Sequence, residues 1–157
     1  MKVPKGSVAH MRDPVIRRLL GAYREGLNSL NPFYRFLCFW KVADGCDAAR
    51  KARLSKEPSE SKHKYSNNER MPNDIASPEF PNSDVDRLMI YKGEKFTKIQ
   101  DKLRPVMRNA IAHLKPTLHI IDPDEFHDLN QCEREVPIVQ YMARRLLTKE
   151  LEFVNNG

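Results

Sequence analysis

Two segments of this chain open with the same device, and it constrains the fold more than anything in the composition. "DPVIRRLLGAYREGLNSL" starts with Asp13 and Pro14, and "NPFYRFLCFWKVADGCDAARKARL" starts with Asn31 and Pro32. An Asp or Asn side chain accepts bonds from the free amides of a first helical turn. Proline just behind it loses no hydrogen bond there. Behind Asp13, Val15, Ile16, Leu19, Leu20, Tyr23, Leu27 and Leu30 recur at helical spacing. Behind Asn31, the aromatics Phe33, Tyr34, Phe36, Phe39 and Trp40 go most of the way round the helix. A helix apolar on so many sides is central in its bundle or is covered by a second subunit.

The rest of the chain repeats the helical theme. A third pattern runs from about Asp84 to Leu114, with Phe96, Ile99, Leu103, Val106 and Ala110 in register. It passes through Pro105, where the helix kinks or a new one begins. Pro116 disfavours helical geometry at Lys115 and ends it. A last helix is expected over roughly Glu135 to Phe153, burying Ile138, Val139, Met142, Leu146 and Leu147 and exposing Arg144, Arg145 and Lys149. Before it, "TLHIID" reads as a short strand or extended crossing, and "DPDEFHDLNQCERE" as loop. Residues 57–83 carry four prolines among Ser, Asn and charge, with little to pack, which predicts a long, flexible polar loop. The expectation is an all-α bundle of about four to five helices, one domain spanning residues 13–154 with that loop inside it.

Composition excludes more than it assigns. No apolar run approaches the ~20 residues that span a bilayer, and "MKVPKGSVAHMRD" lacks the apolar centre of a signal peptide. A cytoplasmic protein is the default expectation. Cys38, Cys46 and Cys132 have no paired spacing and read as reduced thiols. His119, His127 and Cys132 fit no tetrahedral spacing, so no metal and no cofactor is expected. Lys and Arg outnumber Asp and Glu by 27 to 21, for a net charge of +6, a mild tilt toward a polyanionic partner.

The segment "RPVMRNAIAHLKP" carries the chemistry. Arg104 and Arg108 are i,i+4 neighbours, with Lys115 near the same line. Asp101 is the one acid placed to offset them. Asn109 and His113 are likewise i,i+4 on one face. An imidazole takes and gives protons near neutral pH, and a guanidinium offers a planar fork to non-bridging phosphate oxygens. An Arg followed four to six residues later by His means little alone, since chance supplies about one match in a chain like this. With four intervening residues and Asn directly after Arg, late in a core helix, the pattern gains weight.

Those residues resemble the HEPN superfamily (higher eukaryotes and prokaryotes nucleotide-binding domains), whose motif is an Arg, a polar residue and a His late in a helix. "RNAIAH", Arg108 to His113, matches it. "NPFYRFLCFWKVADG" and "GEKFTKIQDKLRPVMRNAIAH" are similar to HEPN-type proteins labelled methylamine-utilisation MauJ-like. The resemblance implies a helical bundle that forms a homodimer, with two motif helices facing across a composite cleft. It also implies a metal-independent endoribonuclease of toxin or defence type. Carried over, His113 assists attack of an RNA 2′-hydroxyl on the adjacent phosphate, Arg108 holds that phosphate, and Asn109 orients the histidine or binds substrate. Arg104 and Lys115 extend the phosphate-binding stripe. Toxins of this group often carry a tyrosine two residues after the histidine, and here Lys115 stands there, so an antitoxin or operon partner would not act by modifying that position. Two other classes stay open. One is a dimer that binds nucleotide, RNA or a partner protein without turnover. The other is a structural helical protein whose basic stripe meets an acidic partner.

Overall fold

In a computed structural model, residues 13–56, 69–73, 82–114 and 123–156 are described, and they form five helices. These are α1 (Pro14–Asn28), α2 (Pro32–Ser55), α3 (Asn82–Met89), α4 (Phe96–Leu114) and α5 (Pro123–Asn156). The two N-terminal devices act as the sequence predicts. The Asp13 carboxylate accepts from the amides of Val15 and Ile16 at 2.8 and 3.3 Å. The Asn31 side chain accepts from those of Phe33 and Tyr34 at 2.9 and 3.3 Å. The fold is all-α among the described residues, with one isolated β-bridge between Arg70 and Lys95.

Helix α2 is the centre of the bundle. It packs on α1, α4 and, most extensively, α5. Its Phe33, Phe36, Phe39 and Trp40 are all buried, the middle pair completely, while Tyr34 is 40% exposed. The chain's own helices therefore cover the aromatics, and no second subunit is needed to do so. Ile16 and Leu19 anchor α1 to this core, whereas Val15, Leu27 and Leu30 of the same periodic set are exposed. Two buried carboxylates tie distant elements together. Arg53 near the end of α2 grips Glu150 of α5 bidentately, one bond being 2.8 Å, and its guanidinium lies 4.1 Å from the Phe153 ring. Glu135 of α5 pairs with Arg87 of α3.

Three expectations need correction, and the open choice at Pro105 is decided. The pattern from Asp84 to Leu114 is two helices, because α3 ends in a turn at residues 90–93 where Gly93 takes φ +69°, a conformation that suits glycine. Pro105, by contrast, starts nothing: α4 runs through it, and the proline is exposed, so the bond it removes is one that water can replace. The last helix begins at Pro123, not near Glu135. The segment expected as loop is helical because Leu129, Cys132 and Val136 supply a narrow apolar stripe, which its many polar neighbours mask in sequence. Finally, part of the 57–83 segment does pack. Met71 is buried in the core, and Glu69 bonds Lys149 and lies 3.8 Å from Arg145. The "TLHIID" segment lies outside the described residues.

Candidate functional site

The histidine of the motif sits where three helices converge, at the last turn of α4, the first turn of α2 and the early part of α5. Local chemistry brings each group there. The Asn31 cap and Pro32 start α2 so that Phe33 falls in its first turn. Cys132 on α5 donates to the Pro32 carbonyl at 3.4 Å and locks α5 against that same turn. Asp128 lies one helical turn before Cys132, which aims it at the end of α4.

There, His113 Nε2 lies 2.9 Å from Asp128 Oδ2, and the two side chains are each 22% exposed. The other carboxylate oxygen, Oδ1, accepts a long bond of 3.4 Å from Asn109 Nδ2. The imidazole stacks on the Phe33 ring, with centroids 4.5 Å apart and planes 17° apart. A ring held by a stack on one side and a carboxylate at its edge has little orientational freedom. A carboxylate accepts, so Nε2 carries the hydrogen of this bond, and Nδ1 makes no hydrogen bond among the described residues.

The arginines stand elsewhere. Five residues of α-helix turn through about 500°, so Arg108 leaves α4 about 140° away from His113. The buried side of α4 is marked by Phe96, Ile99, Leu103, Val106 and Ala110, and Arg108 points away from it into solvent. Arg108 makes no hydrogen bond or ion pair among the described residues. Arg104, on the same outer side, is bonded to Asp101 at 3.1 Å, the offset its sequence position predicts. Ile111, 40% exposed, shares this outer region, whereas Leu114, 37% exposed, falls five full turns after Phe96 and so on the line of the buried side. Lys115 lies outside the described residues. The structure thus joins Asn109 to His113 and separates both from the arginines within one chain.

Asp128 and Phe33 are the site residues that sequence reasoning misses. Asp128 falls in the segment assigned to loop, and only the Leu129–Cys132–Val136 stripe signals that it belongs to a helix. Phe33 is assigned to the core and is indeed buried, yet it is also the surface on which the imidazole rests.

Burial shapes the remaining reactive groups. The thiols of Cys46 and Cys132 are pushed up to about 12 by loss of solvent, and that of Cys38 is raised for the same reason. All three are free and buried. Among the described residues no three His, Cys, Asp or Glu side chains converge as a metal site would need. No described helix is long and apolar enough to cross a membrane.

Against this geometry, the sequence matches the family described as methylamine utilization protein MauJ over residues 19–148, most of the chain and the whole of the His113 site. The chain belongs to the MauJ family. No curated protein and no solved structure matches it. The matched span begins at Leu19 and closes at Thr148, so it contains α2, α3 and α4 entire and the part of α5 that carries Asp128.

Proposed function

We propose that this MauJ-family chain is a HEPN-type endoribonuclease that works without a metal ion. Its reaction is attack of an RNA 2′-hydroxyl on the adjacent phosphorus. The P–O5′ bond breaks, leaving a 2′,3′-cyclic phosphate and a 5′-hydroxyl. His113 accepts the 2′-hydroxyl proton at Nδ1, and Asp128 holds the ring and offsets the imidazolium charge that forms. Asn109 steadies the same carboxylate. The observation that carries the reading is the clamped imidazole, fixed by Asp128 and Phe33 with its other nitrogen unbonded among the described residues.

Arg108 enters this scheme through a second copy. Because it diverges from His113 on its own helix, it serves a phosphate at His113 only if two α4 helices face each other. The outer side of α4, carrying Arg108 with exposed Ile111, is suited to such a contact. In that homodimer the two histidines divide the work. One takes the 2′-hydroxyl proton, and the other returns a proton to the departing 5′-oxygen. A role in defence or as a toxin, with a neutralising operon partner, is the physiological form of this proposal.

The test is cleavage of mixed-sequence RNA in EDTA by the wild type, His113→Ala and Asp128→Asn, each checked for native helicity. His113→Ala should lose ~10²–10⁴ of the rate. Asp128→Asn, which keeps shape but not charge, should fall between the other two. Cutting by His113→Ala at the wild-type rate would refute the assignment. One observation favours a second reading: Nε2 is already committed to Asp128, as in a histidine that only braces a binding surface. A wild type that binds RNA tightly and never cuts it would select that alternative.

A further inference from the structure

At the far end of α4 from His113, the turn between α3 and α4 shapes a depression of about 610 Å³. Among the described residues its lining includes Arg70, Lys92, Lys95, Lys98 and Lys102 against one carboxylate, Glu94. Part of this set is structural. Arg70 donates to the Gly93 carbonyl at 3.0 Å, and Lys102 pairs with Glu94 at 2.6 Å. Lys92, Lys95 and Lys98 make no ion pair among the described residues.

The backbone adds to the imbalance. The depression lies at the N-terminus of α4, a helix of 19 residues, which carries no acidic residue in its first turn. The Phe96 amide is bonded to the Glu69 carbonyl at 2.9 Å. The next two amides, of Thr97 and Lys98, have no carbonyl within the helix to bond. Positive helix end and lysines repel one another, an arrangement that costs stability unless an anion meets it. Among the described residues no aromatic side chain lines the depression, which favours reading by charge over stacked bases.

Helix α4 also connects this end to the histidine. Successive turns of 100° place Lys102, Asn109 and His113 within about 40° of one another, and Lys102 precedes His113 by about 16 Å of helix rise. The geometry points to the depression as a seat for the phosphodiester backbone of single-stranded RNA, gripping a strand whose other part lies at His113. This rests on the ribonuclease reading for the identity of the polyanion. The lysines bind phosphate whether or not that strand is cut.

The experiment measures binding of a short fluorescent 2′-O-methyl RNA, which has no 2′-hydroxyl to attack, over a range of salt. It compares the wild type with Lys92→Ala/Lys98→Ala, two exposed positions. A charge-matched control, Arg17→Ala/Arg18→Ala, removes two exposed cations from α1. Loss of two phosphate contacts should lower the slope of log affinity against log salt by about 1.4. Between 50 and 200 mM salt, the fall in affinity then shrinks about sevenfold. The control should leave the slope near that of the wild type. Equal slopes for the two double variants would overturn the proposal, because net charge alone would then explain binding. So would competition by poly-glutamate as strong as that by unlabelled RNA, which would mark the depression as an acidic-protein surface. A wild type that binds but does not cut natural RNA would sink the nuclease and leave this site standing.

Discussion

Two glycines of α1 allow the packing of the bundle to be tested against an internal standard. Gly21 has open space where a Cβ would stand, with no atom within 4 Å. At Gly26, an added Cβ would lie 2.8 and 3.0 Å from two atoms of the Phe39 ring and 3.1 Å from Cys38 Cβ. Phe39 is fully buried and rests against Tyr23 at 5.2 Å between centroids, so the ring cannot swing aside cheaply. Alanine is favoured over glycine inside a helix by about 0.8–1.0 kcal/mol, somewhat less near the helix end where Gly26 sits. Gly21→Ala should therefore stabilise the protein by up to about 1 kcal/mol. Gly26→Ala gains the same preference but must overpack the core, at a cost of about 1–3 kcal/mol. Subtracting one variant from the other leaves mainly the steric part. At about 2–4 °C per kcal/mol for a chain of this size, the two Tm values should differ by roughly 2–12 °C. Thermal unfolding followed by circular dichroism reads this directly. If Gly26→Ala melts as high as Gly21→Ala, α1 does not approach Phe39 this closely, and the packing that sets the start of α2 is wrong.

Other expectations follow from the buried charges and thiols. Arg53→Met should destabilise the fold by about 3 kcal/mol, because it strands the 3%-exposed Glu150 without its partner, and Arg53→Met/Glu150→Leu should recover most of that loss in urea denaturation. Burial raises Cys46 and Cys132 from 9.0 to about 12, so the folded state keeps protons that the unfolded state releases. Stability should hold below pH 9 and decline as pH climbs from 9 toward 12. A thiol reagent at pH 8 should leave both cysteines unmodified until denaturant is added. Tyr34 donates to the Glu25 carboxylate at 2.5 Å and is pushed up to about 12 mainly by that bond. Its phenol should stay protonated at pH 11 in an ultraviolet titration, and Glu25→Gln should return it toward 10.0.

What the sequence determined by itself is what short-range contacts decide. Asp13 and Asn31 cap helices because the amides they bond lie two and three residues away, and no other part of the chain is needed. The all-α class follows from such signals and from apolar periodicity, both local. The divergence of Arg108 from His113 is local too, a matter of five residues at 100° each. The tertiary structure alone decided the rest. Asp128 reaches His113 across 15 residues, and the segment that holds it is helical because its thin apolar stripe finds the core. Met71 is buried although its neighbours in sequence are polar, because it fills space that other elements enclose. Gly93 breaks the long helical pattern where the chain must turn to bring α4 beside residues 69–71. A periodic pattern reports which face of a segment is apolar. What that face meets, and which polar group is drawn in at its edge, depends on residues far away in the chain, and there the imidazole acquires its carboxylate.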